Sequence, residues 1–358
     1  MRGECGTREL LPQLLLGGDL GARDCVSVLA ERQAWDEAVQ CADAWNVTPR
    51  LVSQISRLKL DVPQAPSSEL RRHFAEAYRS SAFLASRGIA AIRHLEAGGV
   101  RVAAFQGLAS IARLGDGPKG RTMDVVDLLI SEKDLERAVW RLEENGFRRQ
   151  VFAGLRQHAA LSERKAIALT GSGESRIDLH WGVGKGLGVA EILERAEVAR
   201  LWDQKFPVVS PEDALLLSAR HAACEDLQIE SVCQDLIDIQ FWLAHLTREG
   251  RLDSLAGRAA GAGMTPLVLA ITQIIEGYDS ASEILASLSP AASARELRES
   301  ASLVELYRVQ LHDGPLGRDR PGPCQSSAKR PSALARVLRK LRPGRLRAIR
   351  ALARIKYG

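Results

Sequence analysis

The run Thr122 to Ile130, TMDVVDLLI, restricts the possible folds of this chain more than any other segment. Its density of Val, Leu and Ile at strand length reads as a β-strand covered on both faces. Asp127 nevertheless lies inside it. A carboxylate removed from water needs a compensating partner. Arg121 is one candidate, as an ion pair, and a bound cation is another. Packing alone gives an apolar strand no reason to carry an acid, so Asp127 reads as a site residue.

The neighbouring sequence builds a sheet around that strand. Val100 to Phe105 is a short apolar run closed by Gln106-Gly107, and Leu108 to Leu114 has the length of a short helix. Gly115 to Arg121 (GDGPKGR) reads as a polar turn. Beyond the strand, Ser131 is placed to cap a helix with a Leu135, Ala138, Val139 and Leu142 stripe, and Gly146 falls just past its end. Further strands are expected at Phe147 to Phe152, Lys165 to Thr170 and Arg176 to Trp181, the last two joined by Gly171 to Ser175 (GSGES). This order predicts an α+β sheet domain over residues 98–185.

Helical patterns flank it. In the N-terminal region, residues 1–97, Ala34, Trp35, Ala38, Val39, Ala42 and Trp45 share one helical face. Asp61 to Ser68 reads as a linker or sharp turn, and Glu69 to Ala97 as a long helix ended by Gly98-Gly99. From Val189 on, within a C-terminal region of residues 186–313, the pattern is helical again. Ser210-Pro211-Glu212-Asp213 is a strong helix start, and helices are expected to about Cys224, from Ser231 to His245, and within Thr265 to His312. The expected class is thus a helix-rich α+β chain whose mixed-sheet domain is embedded between helical regions.

The net charge of +5 is unevenly distributed. Pro315 to Gly358 holds 13 Lys/Arg against one Asp, so the residues before it carry a net −7. Residues 314–358 therefore form a Pro/Gly linker and a basic tail. Within 332–356, Leu334, Val337, Leu338 and Leu341 line one face, opposite Arg336, Arg339, Lys340 and Arg342. That pattern suits an anionic membrane surface. It also suits docking on the acidic body, or a solvated tail. Nucleic acid is a poorer fit, because Tyr357 is the tail's one aromatic. Six scattered cysteines, no signal-peptide pattern and no apolar run near ~20 residues lead to the expectation of a cytoplasmic protein, peripheral at the membrane if the tail binds one.

Taken together, Phe105-Gln106-Gly107, Arg121 to Ile130 and Ile177-Asp178-Leu179-His180-Trp181 resemble the nucleotidyltransferase superfamily, most closely its branch of bacterial uncharacterised nucleotidyltransferase family proteins. In that branch a strand ends in Lys-Gly, an Arg precedes a strand bearing Asp-x-Asp-Leu-Leu-Val, and a third acid lies in Asp-Leu-His-Trp. The likeness covers roughly residues 30–245. It implies a nucleotidyltransferase-like sheet and Mg²⁺-dependent transfer of a nucleoside monophosphate from an NTP to a hydroxyl acceptor that the sequence leaves unidentified. Asp127, Asp178 and Asp124 are the implied catalytic acids, with Asp127 and Asp178 holding the metal. Gln106, Gly107, Arg121 and His180 are the implied nucleotide contacts.

Two positions depart from the family pattern. Val125 stands where the first acid belongs, one residue after Asp124, and Gln106 replaces the Lys. On a regular strand, Asp124 and Asp127 would face opposite sides, and a bulge would be needed to re-aim Asp124. The site thus looks degenerate, and a catalytically inactive protein that keeps the fold for binding or as a scaffold is the alternative. His180 also reads as a packed, hydrogen-bonded histidine. His221, one turn before Cys224, reads as a core position before a metal pair, and Asp235 and Asp238 read as helix-surface or helix-packing acids.

Overall fold

The computed structural model describes residues 7–313 except 114–116, 150–164, 185, 225–228, 279–287 and 289–291. The linker and basic tail, and the second half of the strand expected at Phe147 to Phe152, lie outside the described residues.

Four helices open the chain: α1 (Thr7–Leu16), α2 (Asp19–Glu31), α3 (Trp35–Ala44) and α4 (Thr48–Leu58). The stripe on α3 is buried as its spacing demands, through Trp35, Ala38, Val39 and Ala42. Helix α5 (Gln64–Ala97) starts earlier than expected and absorbs part of the anticipated linker. Pro66 sits in its first turn, where a missing N–H costs no intrahelical bond. Gly99, at φ +71°, takes the left-handed turn after the helix end.

The sheet follows. Strand β1 (Val102–Phe105) leads directly into α6 (Gln106–Arg113), and β2 (Val126–Ile130) leads through a short 3₁₀ turn to α7 (Leu135–Glu144). Ser131 precedes that turn without a side-chain capping bond. Strands β3 (Arg148–Arg149), β4 (Ala166–Thr170) and β5 (Arg176–His180) come next. The expectation of an uninterrupted helical texture from Val189 is corrected at this point. A short helix, α8 (Val189–Glu194), is followed by a hairpin of β6 (Glu197–Leu201) and β7 (Gln204–Val208). β7 pairs parallel to β1, Ala104 opposite Val208, so the sheet runs beyond residue 185. The hairpin was hidden because Glu197, Arg200, Gln204 and Lys205 leave no apolar run. The seven strands lie in the order β3-β4-β5-β2-β1-β7-β6, with β2–β5 and β1–β7 parallel and the other pairs antiparallel.

Helices α9 (Pro211–Cys224), α10 (Ile229–Arg248), α11 (Leu252–Gly261), α12 (Thr265–Tyr278) and α13 (Ala294–Asp313) complete the chain. The start of α9 is a reciprocal cap: the Asp213 N–H donates to Ser210 Oγ at 3.3 Å, and that hydroxyl donates to Asp213 Oδ2 at 2.9 Å.

Strand alternation divides the apolar residues between two cores. Val102, Ala104, Val126, Leu128, Ile130, Ile177 and Leu179 pack with α5, α6 and α7. Ala103, Phe105 and Leu129, of opposite parity, join the core of the flanking helices. That second core combines N-terminal residues such as Leu14, Trp35 and Leu51 with C-terminal residues such as Leu215, Trp242 and Leu267, so helices from both ends of the chain form one mass. Gln240 Nε2 donates to the Leu16 carbonyl at 2.9 Å across that junction. None of the described helices is long and apolar enough to cross a membrane.

The first core is closely packed where α5 crosses β2. A Cβ on Gly88 would lie 2.7 Å from Val126 Cγ1 and 3.0 Å from Leu108 Cδ2. Gly88→Ala should therefore destabilise the protein by about 1–3 kcal/mol. Gly257→Ala in α11, where a Cβ meets nothing within 4 Å, should be neutral or stabilising by up to about 1 kcal/mol. Denaturant midpoints of the two variants check the contrast.

Candidate active site

Strands β2 and β5 are parallel neighbours, and their register sets Asp127 opposite Asp178 and Leu129 opposite His180. Register partners share a face of the sheet, so Asp127, Asp178 and His180 project to one side. It is the side that carries Ala103, Phe105 and Leu129 into the helical core. The site therefore lies where that covered face gives way to a polar one. Among the described residues, these three side chains form the cluster spaced to hold a metal ion, with one donor atom from each within 4.8 Å of the others. Asp127 is buried, and Asp178 and His180 are half-buried.

His180 Nε2 lies 3.1 Å from Asp127 Oδ1. A carboxylate only accepts, so Nε2 carries the proton and donates it. The His180 ring is held in turn by the edge of Phe105, at 4.9 Å between centroids and 81° between planes. His180 thus orients Asp127, and in this tautomer Nε2 is engaged by the carboxylate. On the other acid, Arg176 Nε and Nη2 donate to Asp178 Oδ1 and Oδ2 at 2.9 and 2.8 Å. These bonds raise the guanidinium pKa above its ordinary value, against a smaller opposing effect of burial. The polar face of β5 consequently reads Arg176, Asp178, His180 at every second residue, while Ile177 and Leu179 fill the core behind.

Asp124 is not brought to this cluster. The strand begins only at Val126, so Asp124 and Val125 occupy a bend before it. Asp124 is exposed, and its Oδ2 accepts from Asn46 Nδ2 at 2.8 Å, at the corner between α3 and α4. The argument from strand parity does not apply to a residue outside the strand. The bend, not a bulge, sets its direction.

Gln106 and Gly107 do lie beside the acids, because Phe105 is the register partner of Asp127 and α6 leaves the sheet there. Gln106 makes the strand-to-helix turn at φ +47°. A Cβ on Gly107 would come within 2.8 Å of Met123 Cγ and 2.9 Å of Arg121 Nη1, so glycine here accommodates the chain's own side chains.

Arg121 has a different partner from the one its position suggests. Its Nε donates to Asp238 Oδ1 and Oδ2 of α10 at 3.0 and 2.8 Å, and Nη1 donates to the Thr122 carbonyl at 2.9 Å. The pair is buried and ties the segment before β2 to the C-terminal helices. Asp238 is thus a helix-packing acid. Asp235 accepts from His221 Nδ1 at 2.7 Å. The side chain of Cys224 lies outside the described residues.

A family model described as uncharacterised nucleotidyltransferase matches residues 31–278. The chain belongs to this family. No match was found among curated proteins. As a member of the uncharacterised nucleotidyltransferase family the chain has the expected helix-rich α+β fold with a mixed sheet, and membership implies a nucleoside triphosphate as substrate. The segment Asp178 to Trp181 lies within the matched residues and comprises the end of β5 and the residue after it.

Sequence reasoning missed Arg176 and Asn46. Arg176 had a signal, its place two residues before Asp178 on the same strand parity. Asn46 had none, since 78 residues separate it from Asp124.

The tie between Arg121 and Asp238 has a pH consequence. Burial outweighs the Arg121 charge and pushes the Asp238 carboxyl up to about 6. In the unfolded chain it titrates near ~3.9. The folded state therefore binds this proton more tightly, and stability is lost as pH rises between those values. Relative to Asp238→Asn, the wild type should lose up to about 3 kcal/mol of stability from pH 4 to pH 6.5. Denaturant titrations of both proteins across that range measure the difference.

Proposed function

We propose that this protein is a Mg²⁺-dependent nucleotidyltransferase with a reduced site, transferring a nucleoside monophosphate from an NTP to a hydroxyl acceptor. The observation that carries the reading is the in-register pair Asp127 and Asp178 on adjacent parallel strands, with His180 bonded to the first. Two carboxylates, one of them buried, suit a hard, oxygen-preferring divalent cation. Asp127 and Asp178 would hold it, and with Asp124 engaged by Asn46 the set has two carboxylates where the family pattern has three. When bound, such an ion neutralises phosphate charge and polarises the attacking hydroxyl.

The chain's own residues do the rest. His180 keeps a proton on Nε2 and fixes Asp127 Oδ1, which leaves the second carboxylate oxygen for the cation. The first turn of α6 starts beside Asp127, and its amides, with the Gln106 side chain, would serve phosphate oxygens. In the reaction the acceptor oxygen forms a bond to the α-phosphorus, the bond to the β-phosphate bridging oxygen breaks, and pyrophosphate leaves with that electron pair. The acceptor's proton goes to solvent or to a carboxylate of the site.

A specific observation favours a second reading. Val125 in place of an acid, and Asp178 already paired to Arg176, together describe a site with fewer free carboxylates than the family pattern offers. A protein that binds nucleotide without turning it over would have that form. The expected result by calorimetry is binding of Mg·ATP at millimolar concentrations or below, weakened at least about tenfold in Asp127→Asn. Absence of any binding would remove both readings. Transfer of label from α-labelled NTP by the wild type supports the transferase. Transfer only after Val125→Asp supports the inactive form.

A further inference from the structure

The charge pattern of the β5 face points beyond the two acids themselves. A site that holds a divalent ion ordinarily leaves its carboxylates open to it. Here both Asp178 oxygens accept from one guanidinium, whose side chain stays half exposed while that of Asp178 is 19% exposed. Two parallel hydrogen bonds to a single carboxylate form the strong, directional kind of Arg pair. They occupy one in-plane lone pair on each oxygen, the pair that a cation chelated by both oxygens would share.

Arg176 is also placed by the fold, not by chance approach along the surface. It lies two residues before Asp178 on β5, and its register partner Thr170 on β4 fixes that end of the strand. Residues two apart on a strand share a face, so no rotation of the backbone separates the two side chains. The turn before β5 is closed by the Gly171 N–H donating to the Ser175 carbonyl at 2.7 Å. With Asp124 directed to Asn46, the carboxylates of the cluster are Asp127, bonded to His180, and Asp178, bonded to Arg176.

We propose that Arg176 is an internal cation that occupies Asp178 in the metal-free protein, so that a divalent ion chelates Asp178 only by displacing the guanidinium. The proposal rests on the reading of Asp127 and Asp178 as metal ligands. Arg176 is on this account a positioning residue. It stabilises the acid pair without a metal and sets the ion concentration at which the site fills.

Mn²⁺ is the probe, followed by loss of the free-ion EPR signal on titration into the full chain, with no nucleotide present. Removing a unit positive charge at ion-pair distance should tighten divalent binding in Arg176→Gln by about tenfold or more relative to wild type. Arg57→Gln, which breaks an exposed ion pair with Asp19 on the helices, should bind as the wild type does. Asp127→Asn should weaken binding in either background. Equal or weaker Mn²⁺ affinity in Arg176→Gln, with binding still dependent on Asp127, overturns the role of Arg176 and leaves the carboxylate site standing. No binding by any of the proteins at millimolar Mn²⁺ overturns both.

Discussion

Much of this structure depends on one carboxylate in the middle of a sheet. β2 has β1 on one side and β5 on the other, and strand alternation gives each of its residues to one face or the other. Val126, Leu128 and Ile130 fill the core beneath α5, α6 and α7, which leaves Asp127 and Leu129 facing the opposite way. A one-residue slip would carry the acid away from the site and into the core beneath α5, α6 and α7, so the register is strongly specified. Leu129 continues into the helical core. Asp127 stops at its margin, where β5 supplies His180 and Asp178 in place of apolar neighbours.

The partners of that face form a graded set of charges. Asp127 is buried and receives a proton bond from His180, itself braced by Phe105. Asp178, nearer solvent, is neutralised by Arg176. Each acid thus has compensation suited to its depth, a hydrogen bond where water is excluded and an ion pair where it is not. A site of this kind is folded and satisfied without a ligand, and binding exchanges one set of partners for another.

The helices contribute more than cover. N-terminal and C-terminal helices share one core, and the buried pair of Arg121 and Asp238 joins it to the segment entering β2. The bend at Asp124 and Val125 is thereby held from two sides, through Arg121 to α10 and through Asn46 to the α3–α4 corner. Arg121, which family resemblance suggested as a nucleotide contact, is bonded into that tie. Gly107 has a related explanation, since the space a Cβ would take belongs to Arg121 and Met123. Residues that a motif groups as ligands can be needed instead to build the frame that presents them.

Local patterning carried the sequence a long way. The apolar density of β2, the stripe on α3, the glycines after α5 and the cap at Ser210 each express a rule that operates within a few residues, and each element formed there, β2 over only the second half of its run and α5 with an earlier start. The pairing of Asp127 with Asp178 was legible for a similar reason, because two acids on strands of one motif have few other places to meet. The β6–β7 hairpin was not legible, since edge strands with mixed polar residues lack the periodicity that marks a half-buried strand. The partners of Arg121 and Asp124 were decided by tertiary structure. Arg121 meets Asp238 across 117 residues and Asp124 meets Asn46 across 78, and no local rule relates such positions. By itself the sequence determined which residues could be acids in a sheet; only the folded chain decided which of those acids face a site and which distant residues they meet, because such pairing depends on distances that packing sets.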